Sequence, residues 1–490
     1  MDRRSLIKYI IYFFLFNPKE SISRQYLDKE HLGMGARRCE SISDLRNIMP
    51  SMENEVVELM SYKKGTMLGG GIFKSKLRTR LLSDDGGKYV GGNQKYIWVR
   101  VSTKGIIKPE WYGCIGDGRI DDSVAFNRMI SALQDGDVIS LRKNAEYFNA
   151  LTDSSSPWII KNRKITIIGN NAILSRRPTR ENNKDIENLA TLKVVGDEFT
   201  IKGKLKITGN EIKKNLVDKT DNAISRGVYS RGYVSSHGLY LSGVNGGYLS
   251  EGLVCCDAVF PCYIVGSSNL TIKGEYNCSG QVYPVTGNDL QLGSGIKIAK
   301  CTNFDIDISG SDCGYCVCEI EPFNKNGNVR VSSVRPYMNG CLIHQGNQNI
   351  VVDVNTVGAI MGAALRISSG SGKIEGIVHA VDCHYGCQII SEKDRVCEDI
   401  KLKLYIENVK SQDVRIFNTQ KGQISLLRGD ITVYNNPESD SHMDRRLSNN
   451  ISALVYGDNM RSVNINLPGG KWCKEHINVI NSIDSSVNMN

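Results

Sequence analysis

Two glutamates pose the first chemical question. Glu319 and Glu321 stand two residues apart in Cys316-Val317-Cys318-Glu319-Ile320-Glu321, where apolar residues recur at every second position. That period marks a strand with one face buried. Cys316, Cys318 and Ile320 take the inner face, so Val317, Glu319 and Glu321 point outward. Side chains at i and i+2 on one strand face are separated by about 7 Å. Inverting glycosidases hold their two carboxyl groups roughly 6.5–9.5 Å apart, one serving as acid and the other as base. A carboxylate beside Lys or Arg stays ionised while its partner is raised, which divides the two roles.

Such a pair needs neighbours, and a repeat supplies them. The strand centres Ile296-Lys297-Ile298, Cys318-Glu319-Ile320, Cys341-Leu342-Ile343, Leu365-Arg366-Ile367 and Cys387-Gln388-Ile389 start 22, 23, 24 and 22 residues apart. A second series runs alongside, through Phe304-Asp305-Ile306, Val329-Arg330-Val331 and Ile350-Val351-Val352. A repeat near two dozen residues that holds two or three short strands suits one coil of a parallel β-helix. Coils stack about 4.8 Å apart. Ile298, Ile320, Ile343, Ile367 and Ile389 then form one internal column, and Ile296, Cys318, Cys341, Leu365 and Cys387 its neighbour. A doubly wound α/β sheet is the structural rival, but this region lacks the helices that must join its parallel strands.

Outward residues fall into register as well. Lys297 lies in the Glu319 column one coil earlier, Arg366 in the same column two coils later, and His344 in the Glu321 column one coil later. Tyr240 and Tyr263 extend the column and offer rings for sugar faces. The expected site has Glu319 and Glu321 as catalytic carboxylates, with Lys297, His344, Arg366, Tyr240 and Tyr263 binding substrate. A solvated ladder of ion pairs is the alternative reading of the same strip. Asp305 and Arg330, one coil apart in the second series, read as a ladder of that kind.

Other candidates are weaker. Cys313-x-x-Cys316-x-Cys318 has metal-like spacing, but Cys316 and Cys318 point inward and no second ligand cluster stands nearby, so neither a metal nor a cofactor is expected. Asp117, Asp121 and Asp122 read as turn and capping residues, His237 as a turn residue, and Asp382 with His384 as an exposed turn. The Gly-rich stretch 69–71 lacks the Lys-Ser/Thr of a phosphate loop.

Composition bounds the rest. The chain has 490 residues, 40% apolar and 23% charged, and so belongs with ordered proteins. With 48 Gly against 11 Pro, it fits many strands joined by tight turns. The net charge of +9 is spread along the sequence without basic blocks. Basic runs interleaved with aromatics are missing, which argues against nucleic acid, while a mildly basic surface favours acidic polymers, including acidic sugars. The 15 cysteines, an odd number in a long chain, read as apolar core thiols formed in a reducing compartment.

These features divide the chain. Residues 1–38 form a candidate export signal and linker: Asp2-Arg3-Arg4-Ser5-Leu6-Ile7-Lys8 before the apolar run Tyr9–Phe16 resembles a twin-arginine signal. Eight apolar residues are too few to span a bilayer, so no stable membrane span is expected. Residues 39–108 form a small β-rich module in which Ser41 or Asp44 caps a short helix. Residues 109–145 hold an opening motif and a helix at 122–133, with Val124, Phe126, Ile130 and Leu133 on one stripe. That helix is suited to cover the bare edge of the first coil. The coils are expected over 146–470, with a C-terminal tail over 471–490.

The segment from Trp111-Tyr112-Gly113 through Gly116-Asp117-Gly118, Asp121-Asp122 and Phe126 resembles the opening motif of the pectate-lyase-like β-helix superfamily, in its rhamnogalacturonase and epimerase-type branch. That branch includes phage tailspike depolymerases. The pieces at 41–46, 69–73, 84–87 and 98–101 are similar to the module that precedes this motif in many tailspikes. The resemblance covers 41–141 closely and the coils in style, and it implies an all-β chain: a right-handed parallel β-helix with an N-terminal capping helix and a small β-rich N-terminal module. It further implies a partner polysaccharide, cleaved by a glycoside hydrolase or lyase reaction, and assembly as a homotrimer. Location follows the origin of the chain, virion-associated if from a phage and otherwise exported to the periplasm or beyond. An exported β-helix that binds or organises exopolysaccharide without cleaving it is the alternative, since a fold does not fix its chemistry.

Overall fold

The structure, a computed structural model, describes residues 37–489 except 81, 104, 151–157, 177–189, 210–236, 278–282, 286–288, 292, 436–453 and 470–471. The proposed twin-arginine segment lies outside the described residues. The chain forms two compact units, Met1–Ser102 and Thr103–Asn490.

In the first unit, five strands make one sheet in the order Arg37–Cys39, Val56–Leu59, Gly71–Leu77, Tyr96–Arg100, Tyr89–Val90. The helix Ile42–Asn47 starts at a capping box, in which the Ser41 hydroxyl accepts from the Asp44 amide and the Asp44 carboxylate accepts from the Ser41 amide. Leu45, Val57, Phe73 and Trp98 form its core. The buried Arg100 guanidinium donates to the carbonyls of Gly69, Gly70 and Gly87, so the glycine-rich stretch is a turn clamped by an arginine.

The second unit is a right-handed parallel β-helix. Among the described residues, a 12-stranded parallel sheet runs from Trp158–Ile160 to Ile477–Ile480, and a 19-stranded sheet carries the other faces. Ile298, Ile320, Ile343, Ile367 and Ile389 pair in one register, as do Ile296, Cys318, Cys341, Leu365 and Cys387. Both columns are wholly buried. Removing each Ile or Leu side chain from water contributes roughly 1.5–3 kcal/mol, which the stack collects at every coil. All fourteen described cysteines are free and all but Cys473 are buried. Burial raises the Cys316 thiol, and a hydrogen bond with Cys341, then burial, raises that of Cys318, so both stay protonated as inert core thiols.

At the start of the stack the helix Ser123–Ser131 acts as the lid. Phe126 stacks on Trp158 of the first strand at 4.1 Å. Asp121 accepts from the Ser123 and Ala150 amides. The Asp122 side chain instead turns back onto the opening motif, accepting from Ile115 N at 2.6 Å and Gly116 N at 3.0 Å.

Three details differ from the sequence expectation. Ile106–Ile107 pairs in parallel with Val138–Ile139, so the second unit, which starts at Thr103, carries parallel strands before residue 146, where the coils were expected to start. Ile477–Ile480 and Ser486–Met489 pair with Val455–Asp458 and Asn464–Leu467, adding a last coil where a tail was expected. Arg330 faces Asp307 at 3.0 Å and Asp353 at 3.4 Å, while Asp305 pairs with Asn328. The second series slips by two residues because Phe304, Gly327 and Ile350 share a position, and a glycine hides the period. No described helix is long and apolar enough to cross a membrane.

Candidate active site

The 12-stranded sheet places the glutamates. Lys297 pairs with Glu319, and Ile320 pairs with Ile343, which sets Glu321 beside His344 at the strand ends. The strand itself stops at Ile320, so Glu321 begins the turn. The Lys297 ammonium lies 2.6 Å from Glu321 Oε1 and 3.6 Å from Glu319 Oε1. His344 Nε2 lies 3.0 Å from Glu319 Oε1 and 3.9 Å from Glu321 Oε1. Ser294 Oγ donates to the second Glu319 oxygen. Four of the residues expected from the sequence therefore meet at one point.

Burial divides their roles. The side chain of Glu319 is 4% exposed and that of Lys297 13%, against 21% for Glu321 and 30% for His344. Desolvation pushes the Glu319 carboxyl up, but the Lys297 charge, then the His344 hydrogen bond and charge and the Ser294 bond, outweigh it and hold the pKa at about 2. Burial alone would lower the Lys297 ammonium; the two carboxylates outweigh it and raise it. Glu319 is thus a desolvated anion fixed by three side chains.

The separation expected for an inverting pair is not present. Both glutamates turn toward the same ammonium, and donor atoms of Glu319, Glu321 and His344 all lie within 4.8 Å of one another. By type these three residues could hold a divalent cation. The Lys297 ammonium already supplies a positive charge among them.

The remaining predicted residues are spread along the strip. Register links Lys193, Tyr240, Tyr263, Lys297, Glu319, Leu342 and Arg366 in one column. Six steps of about 4.8 Å make it about 29 Å long, room for several sugar units. Arg366 is set off from Glu319 by the buried Leu342 and donates to Ser368 Oγ. Tyr240 and Tyr263 stack on each other at 5.4 Å and 9°, and the Lys193 ammonium sits 4.8 Å from the Tyr240 ring. Tyr240 is buried, so it is not an open platform for sugar.

With this geometry in place, comparison with known proteins is informative. Residues 38–103 match the family described as phage tail protein small four-stranded beta-sheet domain. The Mu-like prophage FluMu defective tail fiber protein of Haemophilus influenzae is 32% identical over 98 residues, 20% of this chain and 15% of that protein. Among solved structures, the tailspike protein 2 enzymatically active domain of bacteriophage CBA120 aligns with a TM-score of 0.54 at 15% identity, over 99% of this chain and 64% of that one. The gp42 tailspike of Acinetobacter phage vb_AbaP_AS12 aligns with a TM-score of 0.55 at 11% identity, over 93% of this chain and 75% of that one. The chain shares the parallel β-helix fold of these structures. It spans less than two thirds of the length of the CBA120 structure and a small part of the prophage relative.

Several residues of this face carry no signal in the sequence. Ser294 and Phe260 lie at strand entrances, where alternation breaks down; the Lys297 ammonium sits 4.9 Å from the Phe260 ring. Tyr315 precedes the site strand. Burial chiefly, then Cys316, Glu319 and Glu321, raise its phenol, while Arg366 opposes, so it stands within the field of both glutamates. His237 is no turn residue: it begins a strand, is buried, and lies 5.0 Å from the Tyr263 ring and 5.6 Å from the Phe260 ring. Burial, then Arg176, Lys297 and Lys193, lower its pKa to about 3.

Proposed function

We propose that this protein binds and cleaves a bacterial surface or capsular polysaccharide, and that cleavage takes place where Glu321 and His344 face solvent. The observation that carries this reading is the desolvated Glu319 carboxylate, bonded to His344, Ser294 and Lys297 on an outward sheet face. An ordinary surface ladder looks different: Asp307, Arg330 and Asp353 are all widely exposed. Burying a charge costs several kcal/mol and is a feature of sites that need fixed, perturbed groups. Glu319 is too buried to touch a sugar and serves as a positioning residue for His344. Glu321 and His344 between them give and take the proton that glycosidic cleavage moves. The likeness of residues 38–103 to a phage tail domain supports a virion-associated location.

The test is incubation of the purified full chain with a panel of capsular and O-antigen polysaccharides, followed by mass analysis of fragments. New reducing ends alone identify hydrolysis; an ultraviolet-absorbing unsaturated end identifies elimination. Binding without cleavage is the second reading, favoured by the way Lys297 engages both carboxylates. It predicts polymer retention and no fragments.

A further inference from the structure

The turn that leaves the site strand contains Pro322-Phe323. Phe323 has a φ of 68° and is 57% exposed. A bulky aromatic residue in the left-handed region is uncommon and strained. The next two coils hold glycine at the same position of this turn, Gly346 at φ 70° and Gly370 at 78°, while the preceding coil turns one position earlier, at Lys300 with a φ of 54°. The register of Ile320, Ile343 and Ile367 sets Gly346 and Gly370 directly in line with Phe323. The ring lies over Gly346, where an added Cβ would come within 2.9 Å of it. Gly346 thus leaves room for the ring, while the ring itself is mostly in water. Neither burial nor backbone preference calls for phenylalanine here.

Its position is informative. Phe323 is two residues beyond Glu321, and Gly346 beneath its ring is two beyond His344. An exposed flat apolar surface beside a polar acid–base pair suits the apolar C–H face of a pyranose, whose hydroxyls remain free for the polar groups. We propose that Phe323 is the sugar-stacking residue of this site, packing against the ring bound next to Glu321 and His344. The proposal rests on the polysaccharide reading above and names the contact that seats the sugar.

The test compares the full-length wild type with Phe323→Asn and Phe323→Gly, two residues that tolerate the left-handed turn, and with Phe323→Tyr, which keeps the ring. Affinity is read by retardation in native gels containing each purified capsular and O-antigen polysaccharide, and folding by thermal melting. Stacking predicts that Asn and Gly melt at or above the wild-type temperature, yet lose tenfold or more in affinity, while Tyr retains it. Wild-type affinity in either the Asn or the Gly variant overturns the proposal and leaves the polysaccharide reading intact. A fall in melting temperature in both also overturns it, because the ring would then be a structural element. A wild type that binds and cleaves none of the polymers removes the broader reading and this contact with it.

Discussion

His344 Nε2 donates a 3.0 Å hydrogen bond to Glu319 Oε1 across one coil of the helix. The direction follows from charge: a carboxylate held at a pKa of about 2 has only lone pairs to offer, so the proton on that nitrogen belongs to the imidazole. The bond fixes a ring that is itself partly in water.

This relationship separates the two glutamates experimentally. Glu319→Gln leaves Lys297 with one carboxylate and removes the anion that orients His344. Breaking a buried pair costs about 3–5 kcal/mol, so this variant should unfold at clearly lower denaturant concentration than wild type. Glu321→Gln, at the partly exposed strand end, should change stability by about 1 kcal/mol or less. Urea melts of the two variants check the contrast, and equal losses would show that the burial difference does not matter.

Acid should act through Glu319. Its pKa falls from the ordinary 4.5 to about 2 on folding. A depressed carboxyl contributes stability in full above its unfolded value and loses it as pH drops through the folded one. Glu319 therefore stabilises the protein above about pH 4.5, and the contribution fades between about pH 4.5 and about pH 2. Carbon-detected titration of the Glu319 carboxyl checks this; a midpoint near 4.5 would mean that Lys297 and His344 do not hold the charge.

His237 should contribute at milder pH. Its folded pKa of about 3 lies below the ordinary 6.5, so the unfolded chain takes up the proton first as pH falls. Stability is complete above about pH 6.5 and declines toward pH 3, by at most about 1.4 kcal/mol per pH unit. The difference in melting temperature between wild type and His237→Gln should shift steadily in the variant's favour over pH 6.5 to 4.5. A constant difference would place His237 in water.

Asp122 closes the opening motif onto the lid helix, and its carboxylate accepts from the Ile115 and Gly116 amides. Asp122→Ala leaves both donors without that acceptor at a cost of roughly 2–6 kcal/mol. Asp122→Asn, which keeps one acceptor oxygen, should fall between Ala and wild type in the same melts.

The coils were legible from sequence because the inner columns are strict. Ile298, Ile320 and Ile343 recur at 22 and 23 residues, and one slip would turn a whole strand inside out. Lys297 and Glu319 inherit that register. The apolar period sets Arg330 against Asp305 and not against Asp307 because Gly327 interrupts it. Alternation gives direction only within a strand, so Ser294 and Phe260, at strand entrances, carried no signal. The distance between Glu319 and Glu321 is hidden from the sequence for a related reason: backbone spacing fixes where side chains start, while the Lys297 ammonium fixes where they end. Phe323 at positive φ has no sequence signature, since glycine or asparagine is what such a turn advertises.

Oligosaccharide release is the most direct measurement of all. Wild type and Glu321→Gln are incubated at equal concentration with the polysaccharide that the wild type retains most strongly, and fragments are counted by mass. Chemistry at Glu321 and His344 predicts fragments from the wild type and none from a variant that still folds and still binds the polymer. Release at the wild-type rate by Glu321→Gln would contradict it.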